Sequence, residues 1–264
     1  MKFLYKTFLG RIILKIFVVN RFTTKIGGFF LSTRISSLWI KRFIKKYNIN
    51  MEEYENRKYK SFNDFFTRNI NLEYRPISNN KSDLISPCDS KLSVYRITND
   101  LKLNIKNSVY TLNDLVNNEY DLSSYKDGYA LVFRLCINNY HHYYFIDDGN
   151  IVKSNEIKGK LYTVRPISDG LNVFTKNNRI YSVLSTQNIG DLLYIEVGAT
   201  MVGKIVNRNI TSFKRGEEKG YFKMGESTIV LLIQNNKIEL NKNISLDKET
   251  DVKCLETIGK IKKI

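Results

Sequence analysis

The sequence predicts an α+β protein, with amphipathic helices at the N-terminus followed by a β-rich, mainly antiparallel body. Three observations carry this. Apolar residues recur at helical spacing among the basic side chains of the first fifty positions. From Leu84 onward the chain turns to short runs of β-branched and aromatic residues broken by Asn, Asp and Gly. No internal repeat or low-complexity linker divides that second part, so it reads as one domain. A chain of 264 residues can bury a sizeable core and still carry an appendage. The change in texture places a basic helical region at 1–60 and the β-rich domain at 61–264.

In chain order, Phe3, Leu4, Phe8, Leu9, Ile12, Ile13, Ile16 and Phe17 predict a first helix, with Lys2, Lys6, Arg11 and Lys15 mostly on its other faces. A second helical segment, Phe29 to Tyr47, mixes Phe29, Phe30, Leu31, Leu38, Trp39, Ile40, Phe43 and Ile44 with Arg34, Lys41, Arg42, Lys45 and Lys46. Met51 to Tyr59 is charged. Ser61 to Arg68 begins a short helix capped by Ser61 or Asn63, and a loop passes through Arg75-Pro76. Strands are expected at Tyr129 to Ile137, Tyr143 to Ile146, Lys160 to Val164, Ile180 to Ser185, Leu192 to Val197 and Thr228 to Ile233. Asp148-Gly149 is a hairpin signal.

The charge is uneven. Residues 1–50 hold eleven basic side chains and no acid, which leaves +5 of the net +16 for the rest. Such asymmetry points to an anionic partner. The bulky apolar residues between the charges suit a helix lying in a membrane surface better than one on nucleic acid. No stretch reaches the roughly 18 uncharged apolar residues of a spanning helix. Lys15 interrupts the apolar run and no small-residue site follows, which argues against a cleaved signal peptide. The expected location is peripheral, on the cytoplasmic side of the cell membrane. Cys88, Cys136 and Cys254 lack CxxC spacing, so neither a disulfide framework nor a metal site is expected.

Residue chemistry singles out a small set. The only two histidines are neighbours, His141 and His142, in a strand-like stretch, so their side chains should face opposite ways. Asp89 follows Pro87 at a turn-like site. Ser227 opens an apolar strand near the C-terminus. An acid, an imidazole and a hydroxyl are the parts of an activated serine. The expectation is that His141, oriented by Asp89, deprotonates Ser227.

Eight collinear segments resemble the phosphatidylserine decarboxylase family over nearly the whole chain. They are Thr7 to Arg11; Phe62-Asn-Asp-Phe-Phe-Thr-Arg68 with Arg75-Pro76-Ile77; Ser86-Pro-Cys-Asp-Ser90; and Tyr140-His141-His142 through Asp148-Gly149. Then come Gly159 to Val164, Asn177-Asn-Arg179, Val197-Gly-Ala-Thr-Met-Val-Gly203, and Gly216 to Phe222 running into Gly225-Glu-Ser-Thr228. The resemblance implies a catalytic β-rich domain and a proenzyme that cuts itself between Glu226 and Ser227. It implies a covalent pyruvoyl cofactor made from Ser227, with chains 1–226 and 227–264 staying associated. It further implies a Schiff base with phosphatidylserine, decarboxylation to phosphatidylethanolamine, and no metal or diffusible cofactor. The expected partners are phosphatidylserine and an anionic membrane surface, with no nucleic acid; a homodimer is compatible. An uncleaved relative that only binds anionic lipid is the alternative. Three positions depart from the family pattern: Glu226 where Gly is usual before the serine, Tyr144 where a second His is common, and Ser90 where Gly follows the aspartate.

Overall fold

The structure, a computed structural model, describes residues 7, 21–105, 108–162, 173–199, 204–246 and 248–262. The first expected helix falls outside them apart from Thr7. Helices α1 (Arg21–Leu31), α2 (Ile40–Tyr47) and α3 (Phe62–Phe66) open the described chain, with a 3-10 turn at Arg34–Trp39 between the first two. Ser61 caps α3, its hydroxyl accepting from the Asp64 amide at 3.1 Å. The strands follow as β1 (Asp83–Ile85), β2 (Ser90–Arg96), β3 (Lys102–Ile105), β4 (Ser108–Thr111), β5 (Tyr129–Leu135), β6 (His142–Tyr144) and β7 (Gly149–Ile157). Then come β8 (Arg179–Thr186), β9 (Asp191–Gly198), β10 (Ile205–Asn207), β11 (Ser212–Phe213), β12 (Glu218–Phe222), β13 (Ser227–Ile233), β14 (Ile238–Leu240), β15 (Thr250–Val252) and β16 (Thr257–Ile261).

Eight strands form the central sheet in the order β11-β7-β8-β9-β13-β5-β2-β15, every neighbour antiparallel. Strand β13 lies inside it, paired over its full length with β5 and β9. Its sequence is continuously apolar after Thr228 because both faces are covered. Ile229, Leu231 and Ile233 enter a core with Leu131, Phe133, Leu135 and Tyr194, roofed by Tyr143, Phe145 and Phe222 from the β10-β12-β6 sheet and its flanks. Val230 and Leu232 enter a second core on the opposite face, with Val132, Val197, Leu103, Tyr110, Leu112 and Leu115. At about 1.5–3 kcal/mol per buried aliphatic side chain, these five residues supply on the order of 10 kcal/mol as an upper estimate. That exceeds the roughly 1–3 kcal/mol apiece for leaving the Ser227 and Thr228 hydroxyls buried without partners.

The helices make a third apolar cluster: Leu31, Ile40, Phe62, Phe65 and Phe66 pack with Met224. Buried Ser36 ties the layers together, its hydroxyl accepting from the Phe62 amide and donating to the Leu31 and Thr33 carbonyls. Opposite this cluster, Ile26, Phe29, Phe30, Ile35, Leu38 and Trp39 are exposed, Phe29 and Leu38 each by 76%. No described helix is long and apolar enough to cross a membrane.

The strands expected at 129, 180, 192 and 228 form within one or two residues of their expected limits. Three expectations change. Lys160 to Tyr162, the described part of one expected strand, makes only an isolated bridge to Asn177. The strand expected at 143–146 is β6, one residue earlier and shorter. Asp148-Gly149 is not a hairpin turn: β6 and β7 belong to different sheets, and Gly149 starts β7 opposite Phe213 and Thr186. Glycine is needed there because a Cβ would lie 2.3 Å from the Ser185 carbonyl oxygen.

One charged pair is sealed in the core. Glu196 of β9 is fully buried, and Lys219 of β12 reaches it with Nζ 2.5 Å from Oε1. Burial raises the Glu196 pKa against the attraction of Lys219. Lys219→Met strands the carboxylate and should cost about 3–5 kcal/mol at neutral pH. Urea unfolding measures this, and Lys219→Met with Glu196→Leu should recover most of the loss.

Candidate active site

The segment that opens β13 is held at both ends. At Phe222 the amide donates to the His141 carbonyl at 3.0 Å, and the Lys223 amide donates to the Lys204 carbonyl. The chain then reverses through Met224, Gly225 and Glu226. Gly225 takes φ 145°, a conformation that side chains resist, so the glycine two residues before Ser227 is the one this turn requires. Glu226 is not among the residues with positive φ and is buried. The turn therefore accommodates a glutamate where the family pattern usually has glycine.

Ser227 faces Leu135 on one side and Gly198 on the other. Its side chain is fully buried and Oγ has no hydrogen-bond partner among the described residues. Neighbouring Lys91, Arg134, Thr228 and Val197 stand side by side on four strands. Ser90 and Ser227 therefore head their strands at one end of the sheet, two strand spacings or about 10 Å apart. The hydroxyl of Ser90 is also buried and unpartnered.

His141 lies just before β6, fully buried, with its ring 4.2 Å from that of Phe66. Its Nδ1 is 2.9 Å from the Asn139 carbonyl oxygen, which only a protonated Nδ1 can satisfy. The lone pair is thereby placed on Nε2, which has no well-formed hydrogen bond. Burial lowers the His141 pKa to about 3, with the Arg68 charge adding to the drop and the Asn139 and Gly225 backbones opposing it. The ring is neutral at physiological pH and lies beside Gly225, at the turn that carries the Glu226–Ser227 peptide.

Asp89 does not orient this imidazole in the structure. It is buried at the head of β2, where Oδ1 accepts from the Cys254 amide at 2.8 Å and Oδ2 lies 3.4 Å from Arg75 Nη2. A charged arginine outcompetes a neutral ring for a carboxylate, and the Asn139 carbonyl takes the role expected of Asp89. His142 occupies different surroundings, as alternation predicts. It stacks between Tyr140 (4.7 Å) and Tyr221 (5.1 Å), with Nδ1 3.2 Å from Glu218 Oε1 and Nε2 3.3 Å from the Thr67 carbonyl. The Glu218 pKa is lowered: burial acts to raise it, but His142 and Arg208 together outweigh that. The Tyr144 hydroxyl pairs with that of Tyr140 at 3.0 Å, and burial pushes its pKa further above the ordinary phenol value. Tyr144 is no base at neutral pH.

Asn139, Phe66 and Arg68 join the site without having been singled out for a role from sequence. The Asn139 contribution is a main-chain carbonyl, which no residue type announces. Phe66 and Arg68 lie in the Phe62–Arg68 segment whose motif marked it. Of the Val197–Gly203 motif, Val197, Gly198 and Ala199 are described and residues 200–203 lie outside the described residues. Among the described residues, Ser227 Oγ, Ser90 Oγ, His141 Nε2 and Nε and Nη2 of Arg68 are buried without partners, as is Thr228 Oγ1 on the other face of β13; further such atoms, among them Tyr125 Oη, Arg215 Nε and Glu196 Oε2, lie elsewhere. Native interiors leave few such atoms, so each calls for an explanation.

The sequence model of the family described as phosphatidylserine decarboxylase matches residues 62–260. The chain belongs to the phosphatidylserine decarboxylase family. Among its relatives, phosphatidylserine decarboxylase proenzyme 2 of Clostridium acetobutylicum is 49% identical over 264 residues, 98% of this chain and 91% of that protein. The phosphatidylserine decarboxylase proenzyme of Clostridium tetani is 40% identical over 258 residues, covering 94% and 87%. That of Clostridium botulinum strain Hall is 39% identical over 269 residues, covering 97% and 90%. The family match spans β1 to β16 and begins at α3, so it takes in every residue of the site.

His141 links the site to pH. Its folded pKa lies below the roughly 6.5 of an exposed histidine. The unfolded chain therefore binds the extra proton first, and the stability due to neutral His141 is present above about pH 6.5 and lost as pH falls toward the folded value. Between about pH 7 and pH 5 this amounts to about 2 kcal/mol. His141→Asn in an uncut Ser227→Ala chain should lose less stability over that interval by about this amount, as read by urea unfolding at the two pH values.

Proposed function

We propose that this chain is a self-processing decarboxylase that converts phosphatidylserine to phosphatidylethanolamine with a pyruvoyl group derived from Ser227. The observation that carries this reading is a buried Ser227 hydroxyl with no partner among the described residues, heading a strand at a glycine turn, beside a neutral histidine whose Nε2 makes no well-formed hydrogen bond and whose ring contacts the Gly225 backbone. Family membership and the proenzyme names of the relatives support it.

In this reading His141 Nε2 accepts the Ser227 hydroxyl proton as Oγ attacks the carbonyl carbon of Glu226. The peptide C–N bond breaks and an ester forms. Loss of the Ser227 α-proton then breaks the ester C–O bond, leaving a carboxylate on Glu226 and dehydroalanine at 227. Water enters and ammonia leaves to give the pyruvoyl group. A base with so low a pKa is a weak proton acceptor. One turnover is enough, however, and a barrier of about 21 kcal/mol still gives a half-life of minutes. Asp89 enters as a positioning residue: held by Arg75 and the Cys254 amide, it fixes the head of β2 beside the site.

The residues present fit such a group. Position 227 is sealed from water among unpartnered donors, and the pyruvoyl group is smaller than the serine it replaces. The group supplies a carbonyl that takes up the electrons released as carbon dioxide departs. The surrounding chain excludes water and keeps a neutral imidazole at hand for proton transfer. Seven residue pairs with β5 and seven with β9 would hold the 227–264 fragment in place after cleavage.

The helical region 1–60 would contact the membrane. Exposed Phe29, Ile35, Leu38 and Trp39 stand beside Arg34, Lys41, Arg42, Lys45 and Lys46, the pairing that favours an anionic lipid surface such as the cytoplasmic leaflet.

Denaturing mass spectrometry should show two chains split at Glu226/Ser227, the smaller with a mass fitting pyruvoyl. Ser227→Ala should remain one chain, and a cut variant would overturn the reading. An intact wild-type chain would favour the uncleaved lipid-binding alternative. His141→Ala should slow cleavage at least 100-fold in a time course. Leu38→Asp with Trp39→Asp should weaken binding to vesicles containing phosphatidylserine at least tenfold, while the same chain keeps its cleavage.

A further inference from the structure

Arg68, just past α3, is 1% exposed, and among the described residues no carboxylate pairs with it. The guanidinium lies over the rings of Tyr54 (4.1 Å) and Phe65 (4.6 Å), and Nη1 donates to the Phe65 carbonyl at 3.3 Å. Among the described residues Nε and Nη2 make no well-formed hydrogen bond, while the Tyr54 hydroxyl lies near enough for the Arg68 guanidinium to oppose the burial that raises the Tyr54 pKa. Other buried arginines are provided for: Arg75 binds Glu53 and Asp89, and Arg179 donates to the Leu115, Asp114, Thr175 and Asn177 carbonyls. A buried cation without an anion is strongly unfavourable. The two open donors also form one edge of the guanidinium fork, the edge that takes two oxygens of one anion side by side.

The arginine is placed at the site described above. Phe66, two residues earlier, packs on His141, the Thr67 carbonyl faces His142, and the Arg68 charge is felt at the His141 ring. We propose that the Nε/Nη2 edge of Arg68 binds the phosphodiester of the substrate headgroup. This rests on the decarboxylase reading and specifies how that site would hold its lipid. The headgroup of phosphatidylserine carries two anions, and chemistry separates them. A carboxylate locked in an ion pair resists leaving as neutral carbon dioxide, because the pair is lost as the charge drains away. The phosphodiester keeps its charge from start to finish, so binding it tightens substrate and transition state alike. Arg68 therefore acts on KM, and leaves the carboxylate free to point at position 227.

The test uses the full-length Ser227→Ala chain, in which binding does not depend on maturation. Two probes are titrated by NMR: glycerophosphocholine, with a phosphodiester but neither carboxylate nor primary amine, and N-acetylserine, with a carboxylate and no phosphate. Adding Arg68→Gln should weaken glycerophosphocholine at least tenfold and leave N-acetylserine within about twofold, with Arg68→Lys between. On the matured enzyme, Arg68→Gln should raise KM for phosphatidylserine at least tenfold with kcat within about threefold. If the Gln variant loses its cooperative melt, the Lys variant carries the same comparison. Unchanged binding of glycerophosphocholine, weakening of N-acetylserine alone, a kcat loss at constant KM, or no binding of glycerophosphocholine by the parent chain overturns the assignment. Failure of the decarboxylase reading shows separately, as an uncut wild-type chain in the mass spectrum.

Discussion

The pairing of β13 between β5 and β9 is the constraint on which the rest of the molecule depends. A strand hydrogen-bonded on both edges and buried on both faces has no freedom to slip, since a one-residue shift would exchange the contents of two cores. Ser227 is the first residue of that strand, so its position inherits the rigidity of the whole sheet. Reactive groups are usually placed on loops and steadied by a scaffold. In the proposed reading the scaffold itself would end in the reactive residue, with the loop kept for the other side of the peptide bond.

That arrangement sets the electrostatics. The site lies where water cannot screen charges, so a neutral imidazole, a bare guanidinium and several lone hydroxyls each depend on what few neighbours they have. His141 obtains its orientation from a main-chain carbonyl, a partner that cannot change protonation state. Asp89 is committed elsewhere, to Arg75 and the chain near Cys254. The carboxylate, imidazole and hydroxyl that a reader of the sequence would join into one relay thus belong to two neighbouring networks at the same end of the sheet.

Long central strands were legible in the sequence because burial on both faces leaves an apolar run, as at Ile229 to Ile233 and Leu192 to Ile195. The cap at Ser61 was legible because it depends on one hydroxyl and one nearby amide. Short strands such as β10, β11 and β14 were not, since two or three residues carry no period and their pairing is decided by distant partners. Asp148-Gly149 misled for a related reason: the glycine answers to the close approach of Ser185 across the sheet, not to a local turn. Within the candidate site, the side chains proposed to act were visible as types. The Asn139 carbonyl was not, and the stress on Glu226 as a replaced glycine gave way to Gly225, where the unusual torsion falls.

The turn between β12 and β13 is only four residues long, Lys223 to Glu226, and it joins two separate sheets. It is also pinned to the helices through Met224. While intact, this strap keeps the roof sheet and the helical layer clamped over the end of the central sheet. Severing it next to Ser227 would remove one covalent link between the layers, while the connections β5–β6, β6–β7, β10–β11 and β11–β12 still join the roof sheet to the central sheet. A cut there would release the short strap itself, giving residues 223–226 new freedom beside Ser227 while the two layers stay joined.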